Sequence, residues 1–398
     1  MNPIANRRRF LTLGAAFGAT VAFGAARPRQ ARAAGSRDPR FVVIVLRGAL
    51  DGLTAVPATG DRNFAGLRGE LAPKKVLALD SLFALHPAMT HFARQYKAGQ
   101  AAVIHACATA YRDRSHFDGQ DVLESGYAGP GHADSGWLNR LLGVLPADGK
   151  AHLSAVAGGS LTPLVLRGKA EVLGWAPSSL APSDGDLTPR LMELYQRSDP
   201  VLAHALDEAV RTGRIASGYS QQSVSGGLSD PKTMTALAEG VSRLLAAPDG
   251  PRIAAIALEG WDTHAAEVTR LATLLAGLDG TFGAFETTLG PVWRDTTLLV
   301  VTEFGRTAAV NGTHGSDHGT AAAAFLAGGA VKGGRVIADW PGLGRSQLYQ
   351  ARDLMPTTDL RAVCKGLMVE LFDVPEGVLS DTIFPDSAMV KPMTGLIA

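Results

Sequence analysis

Three short stretches gather carboxylates and imidazoles at close spacing. Glu259-Gly260-Trp261-Asp262-Thr263-His264 places an acid and a histidine two positions apart. Glu303-Phe304-Gly305-Arg306 and Gly312-Thr313-His314-Gly315-Ser316-Asp317-His318-Gly319 lie downstream. Two earlier stretches add Arg47-Gly48-Ala49-Leu50-Asp51-Gly52 and Arg112-Asp113-Arg114-Ser115-His116-Phe117-Asp118. Carboxylates and imidazoles converging from separate segments are what a divalent-metal site requires. With only Cys107 and Cys364 present, thiolates cannot build such a site, so it must rest on His, Asp and Glu. Arg47, Arg112, Arg114 and Arg306 stand beside these residues. Guanidinium suits the oxygens of an anion, which it can grip in a forked geometry.

Each piece also has a bland reading. Asp51-Gly52 suits a plain turn. Asp262 suits the cap of a helix beginning near His264, and Ser115 the cap of one running to Glu124. Glu303 and Arg306 can form a structural ion pair. His318 in a Gly-rich loop has less structural excuse, so it points to function, while His314 and His132 remain undecided. His86, before a proline, reads as packed or capping. His91, His152 and His204 lie in helical or strand patterns, and His105 ends a strand.

The elements that must position these residues are strongly patterned. Phe41–Leu46, Ala101–His105, Arg252–Leu258 and Thr297–Thr302 are continuous apolar runs, and Ala321–Leu326 is a further candidate of the same kind. Between them lie helical patterns over Leu85–Ala98, from Ser229-Asp230-Pro231 to about Ala247, His264–Leu289 and Thr357–Leu371. Buried strands alternating with helices predict an α/β fold with a largely parallel central sheet covered on both faces. In such folds ligands bind at the carboxyl ends of the strands, where the acids stand. Residues 174–230 are rich in Pro, Ser, Gly and Asp and read as a helical insertion, with Ser217–Gly227 as its mobile edge.

The first 33 residues read as an address. Arg7-Arg8-Arg9-Phe10-Leu11 has the twin-arginine export pattern, an apolar run comes next, and Ala31-Arg32-Ala33 is a small-x-small cleavage pattern. Export to the periplasm or beyond by the twin-arginine translocase is therefore expected. The mature domain would span 34–398. Six arginines leave with the leader, so 32 basic groups then face 37 acidic ones, about −5. That balance argues against nucleic-acid or polybasic membrane-surface partners. No later apolar run approaches the ~20 residues of a membrane span. The oxidising compartment permits a disulfide between the two cysteines, and two free buried thiols are an equal alternative. A nicotinamide enzyme is disfavoured, because no Gly-x-Gly-x-x-Gly comes after the first strand.

The chain resembles the exported bacterial proteins of domain-of-unknown-function family 1501. The matching pieces are Val45–Leu53, Leu85-His86-Pro87, Arg114–Phe117, Gly136-Trp137-Leu138, Gly260–His264, Thr302–Arg306, Asp317-His318-Gly319 and Gly328–Gly334, in order along nearly the whole mature chain. Through that family it is similar to the alkaline phosphatase, sulfatase and phosphoglycerate mutase superfamily. The resemblance implies one or two divalent ions (zinc, manganese or similar), with Asp51, Asp262, His264, Glu303 and His318 as ligands and Ser115 as nucleophile, aided by Arg114 and Arg306. Phe304 stands where the superfamily has a metal-binding histidine, so His116 or His314 would have to substitute. The implied activity is hydrolysis of small phosphate or sulfate esters. The alternative is a non-catalytic binding or accessory protein on the same fold, with a degenerate metal site.

Overall fold

The structure is a computed structural model in which residues 37–146, 155–177, 187–217 and 227–398 are described. The expected leader and residues 218–226 of the expected mobile edge lie outside them, as does His152. Pro39–Ala398 make up one unit of the chain.

The strands of this unit are β1 (Arg40–Leu46), β2 (Ala101–Ala108), β3 (Ala155–Gly158), β4 (Val172–Trp175), β5 (Ile253–Leu258), β6 (Thr296–Thr302), β7 (Ala322–Ala327), β8 (Arg335–Ile337) and β9 (Thr358–Asp359). They form one nine-stranded sheet in the order β8-β2-β7-β6-β1-β5-β3-β4, with β9 also paired to β2. Six pairings are parallel. Among the described residues, only the pairings of β7 in this sheet, with β2 and with β6, are antiparallel. The sheet is therefore parallel except at β7, as the apolar runs predict.

Alternation along β1 shows why both faces are covered. Val42, Ile44 and Leu46 belong to one core cluster, and Phe41, Val43 and Val45 to another on the opposite face. The helices that bury these faces are α1 (Gly52–Ala55), α2 (Thr90–Lys97), α3 (His116–Ser125), α4 (Trp137–Val144), α6 (Pro200–Ser217), α7 (Pro231–Ala246), α8 (Glu267–Leu289) and α9 (Leu360–Phe372), while α5 (Leu187–Ser198) packs on α6. Phe92 of α2, Leu237 of α7 and Leu275 and Phe282 of α8 pack with the first cluster. Leu138 and Leu141 of α4 and Val363 and Leu367 of α9 pack with the second. Each such side chain contributes roughly 1.5–3 kcal/mol by leaving water.

Asp230 caps α7 as its sequence predicts, accepting from Thr233 N at 2.9 Å, with Pro231 in the first turn. The helix expected from His264 starts three residues later, at Glu267. The residue before it, Ala266, is in a left-handed conformation and provides no side-chain cap. Two helices, α5 and α6, occupy the expected insertion, although its first residues, Gly174 and Trp175, belong to edge strand β4. Cys107 and Cys364 are buried and unbonded, and burial pushes the Cys107 thiol up to about 12. Among the described residues, no helix is long and apolar enough to cross a membrane.

Candidate metal centre

Register explains why distant segments meet. Leu46 of β1 pairs with Leu258 of β5 on one side and Thr302 of β6 on the other. The three strands thus end in one row, and Arg47, Glu259 and Glu303 step off it together. The loop after β5 carries Asp262 and His264. The loop after β6 carries Glu303 and Arg306, then returns with His318. Because β7 is antiparallel, it begins at this same end, which lets His318, just before it, reach the site. Helix α3 brings His116 in as its first residue. The loops touch backbone to backbone. Gly48 has φ +118°, and a Cβ there would stand 2.4 Å from Asp262 N.

Four side chains converge. His318 Nε2 lies 3.0 Å from His116 Nε2 and 3.0 Å from His264 Nε2. Asp262 Oδ1 is 3.0 Å from His264 Nε2 and 3.4 Å from His318 Nε2, and Oδ2 is 3.6 Å from His116 Nε2. Among the described residues, His116, Asp262 and His318 form the one group of metal-ligating residues whose ligand atoms all lie within 4.8 Å of one another. His264 stands against it. Asp262 and His264 keep 41% and 44% of their side-chain surface exposed, so the cluster is open to solvent.

The outer partners decide what the cluster can hold. His116 Nδ1 faces Glu303 Oε1 at 2.8 Å, His318 Nδ1 the carbonyl of Arg114 at 2.9 Å, and His264 Nδ1 Asp317 Oδ1 at 3.3 Å. All three partners only accept, so each Nδ1 carries the proton and donates. In the neutral form each ring then aims its Nε2 lone pair into the same space. A single proton can bridge one such contact, whereas a cation satisfies all of them. Imidazole whose outer nitrogen is fixed by a carboxylate or carbonyl is the usual form of a metal-bound histidine. Ligand atoms held tetrahedrally at ~2.0–2.1 Å from zinc stand ~3.3 Å apart, and the spacings here run from 3.0 to 3.6 Å. The residues therefore fit a divalent ion bound by nitrogen and oxygen.

Glu303 stands behind the cluster rather than in it. It is fully buried. Its Oε1 accepts from Gly48 N, His116 Nδ1 and Gln120 Nε2, and its Oε2 from Thr302 Oγ1. Burial alone would raise its carboxyl, but these hydrogen bonds hold it below the ordinary range. The same contact with Glu303 raises His116, against its burial. Burial lowers His318. Phe304 stacks on His116, with ring centroids 5.0 Å apart, and walls the site.

Other expected residues are placed elsewhere. Asp51 caps α1: its Oδ1 accepts from Leu53 N and Thr54 N, and its Oδ2 from Thr54 Oγ1 and Arg68. Its oxygens are thus taken by the helix start and a guanidinium, the reverse of the ligand role expected for it. His314 pairs with Glu70 at 2.6 Å on the surface. Arg306 pairs not with Glu303 but with Asp262 Oδ1, at 2.5 Å, and this contact, acting against burial, lowers the Asp262 carboxyl. Arg114 is bonded to Asp353 and Gln350. It serves the cluster through its backbone, where φ is +62° and the carbonyl receives His318. Neither arginine has its fork free for an anion. Ser115 occupies the cap position of α3 without a side-chain cap bond, and its backbone N–H donates to the Tyr111 hydroxyl at 3.3 Å.

Sequence reasoning passed over Asp317 as a partner for His264, Arg68 as a partner for Asp51, and Glu267. Asp317 had a signal in its spacing beside His318. Arg68 had none. His105, weighed as a strand-end residue, is buried beside Phe83 and Trp340 and bonded to Val56 O. Burial pushes it down to about 4.

A family model described as Protein of unknown function (DUF1501) matches residues 65–381. No curated protein matches the chain. Solved structures give distant likenesses. The crystal structure of Ps i-CgsB in complex with k-i-k-neocarrahexaose has a TM-score of 0.44 and 10% identity, over 90% of this chain and 77% of that one. Alkaline phosphatase from the Antarctic bacterium TAB5 has a TM-score of 0.35 and 12% identity, over 75% and 94%. A protein in the alkaline phosphatase superfamily from Vibrio parahaemolyticus has a TM-score of 0.31 and 12% identity, over 74% and 61%.

Proposed function

We propose that this chain, which belongs to the family described as Protein of unknown function (DUF1501), is an exported hydrolase of phosphate or sulfate esters that works with a bound divalent ion. One observation carries the metal part of this reading. Three histidines, each with its Nδ1 proton taken by an acceptor, turn their Nε2 atoms toward one another beside Asp262. The sequence resemblance to the alkaline phosphatase superfamily supplies the reaction class.

His116, His318 and Asp262 would hold the ion, with His264 as the adjoining fourth group. Such an ion, when bound, supplies Lewis-acid stabilisation of the charge that builds on ester oxygens. The chain's own residues do the rest. Glu303, the Arg114 carbonyl and Asp317 keep the rings in the binding tautomer. Arg306 holds Asp262. The exposed faces of Asp262 and His264 leave the approach open to a small anionic ester. Ser115, one residue before His116, is the side chain we assign to attack the ester, because its hydroxyl does not cap its helix.

The alternative reading, a binding or accessory protein, is favoured by a different observation. Asp51 and Glu303, both expected ligands, have every oxygen engaged by protein donors, and Arg114 and Arg306 are likewise occupied. Purified mature protein separates the two readings. About one zinc or manganese per chain, with turnover of an aryl phosphate or aryl sulfate that Ser115→Ala lowers by orders of magnitude, supports the hydrolase. Metal uptake without turnover of either ester supports the accessory role. No metal uptake sinks the hydrolase. Export is proposed from the leader pattern, and an Arg7→Lys, Arg8→Lys double variant recovered unchanged from the periplasm would refute it.

A further inference from the structure

A second polar cluster lies behind the first and is joined to it. Asp51, Arg68, Glu267 and Ser316 are all buried. Arg68 donates to Asp51 Oδ2 and to the carbonyls of Thr307 and Ala308, the latter two at 3.0 and 3.1 Å. Glu267 stands alongside, its Oε1 3.9 Å from Arg68 Nη2. Burial first, and the Asp51 charge second, push the Glu267 carboxyl up to about 9, so at neutral pH it keeps its proton. No donor reaches its Oε1, which suits an oxygen that itself carries hydrogen. Its Oε2 accepts from Ser316 Oγ at 2.5 Å. Ser316 Oγ in turn accepts from Arg306 Nε at 3.3 Å, and Ser316 O accepts from Arg306 Nη2. The remaining nitrogen, Nη1, reaches Asp262 Oδ1.

We propose that Glu267 is a positioning residue for the cation site: through Ser316 it fixes the plane of the Arg306 guanidinium, and Arg306 fixes the Asp262 carboxylate. The inference rests on the metal reading above. Its physical basis is rigidity. A guanidinium presents its donors in one plane, so Nε and Nη2, both held by Ser316, determine where Nη1 points. Asp262 is half-exposed and would otherwise rotate freely. Helix α8 reinforces the link, since Glu267 N donates to His314 O at 3.0 Å, in the loop that carries Ser316 and His318.

The test is the Zn2+ affinity of the full mature protein, measured by chelator competition, with thermal unfolding of the metal-free form recorded alongside. Ser316→Ala and Glu267→Leu are expected to weaken Zn2+ binding about 10–100-fold, the usual effect of losing an outer partner of a metal ligand. Glu267→Gln keeps an acceptor for Ser316 and an uncharged, hydrogen-bearing group near the Asp51 charge, and is expected to bind Zn2+ close to wild type. Wild-type affinity in Ser316→Ala overturns the inference, and so does a Glu267→Gln loss as large as that of Ser316→Ala. Both variants keep the buried volume nearly unchanged, so the outcome stands even where Glu267→Leu fails to fold. Wild-type protein that takes up no Zn2+ overturns the metal reading itself, and this inference with it, before any variant is made.

Discussion

Two clusters of the same residue types stand at the same end of the sheet and do opposite things. Around His318, acids and imidazoles face each other across half-exposed space, with lone pairs turned inward. Around Asp51, a buried carboxylate is met by the buried Arg68 guanidinium and a protonated Glu267. The first turns three imidazole nitrogens toward one space beside Asp262, whose Oδ1 also meets the Arg306 guanidinium. The second already contains its charge, as Arg68 and one proton. A carboxylate at a strand end is thus neither a ligand nor a structural ion pair by its type. What decides is how many of its oxygens protein donors take: both in Asp51 and both in Glu303, whereas in Asp262 Arg306 meets Oδ1 and Oδ2 faces His116.

Crossing two substitutions breaks the comparison most directly. Arg68→Met leaves the Asp51 carboxylate buried and unpaired, so equilibrium unfolding of the metal-free protein should show a loss of about 3–5 kcal/mol. His318→Ala removes the residue shared by the two shortest imidazole contacts. Zn2+ affinity should fall by more than the roughly 100-fold of an outer-partner loss, while metal-free stability stays within about 1 kcal/mol of wild type. Should His318→Ala chiefly destabilise the fold, the first cluster is structural as well.

A smaller effect sharpens the contrast through pH. The Glu267 carboxyl lies at about 9 in the folded chain, against an ordinary value of 4.5. The folded chain therefore holds a proton that the unfolded chain releases. This contribution to stability is complete below pH 4.5 and is lost as pH rises toward 9, at up to about 1.4 kcal/mol per pH unit. Unfolding of the metal-free protein across pH 5–9 should show this decline, and Glu267→Gln should flatten it. An equal slope in both proteins would mean that Glu267 is ionised when folded.

Much of this architecture is legible in the sequence. Phe41–Leu46 and Thr297–Thr302 are apolar at nearly every position, so both faces of each strand must be covered, and the sheet is the consequence. Asp230-Pro231 marks a helix start through its own local chemistry. Asp262, His264 and His318 are legible as ligand candidates because acids and imidazoles crowd these loops near the strand ends. Less legible is the direction of β7: an apolar run reads the same whether its neighbours run with it or against it, yet its antiparallel course brings His318 to the site. The fates of Asp51 and Glu303 are also hidden. Arg68 lies 17 residues from Asp51 in sequence and His116 lies 187 from Glu303, and no local pattern records either contact.

Residue type and periodicity determined which segments would be strands and which ends would carry acids, because burial and capping are local demands on a chain. Tertiary structure alone decided which acid would face the imidazole cluster, which would orient one of its rings and which would be neutralised. Those outcomes depend on distances of a few ångströms between charges far apart in sequence, where burial magnifies every uncompensated charge.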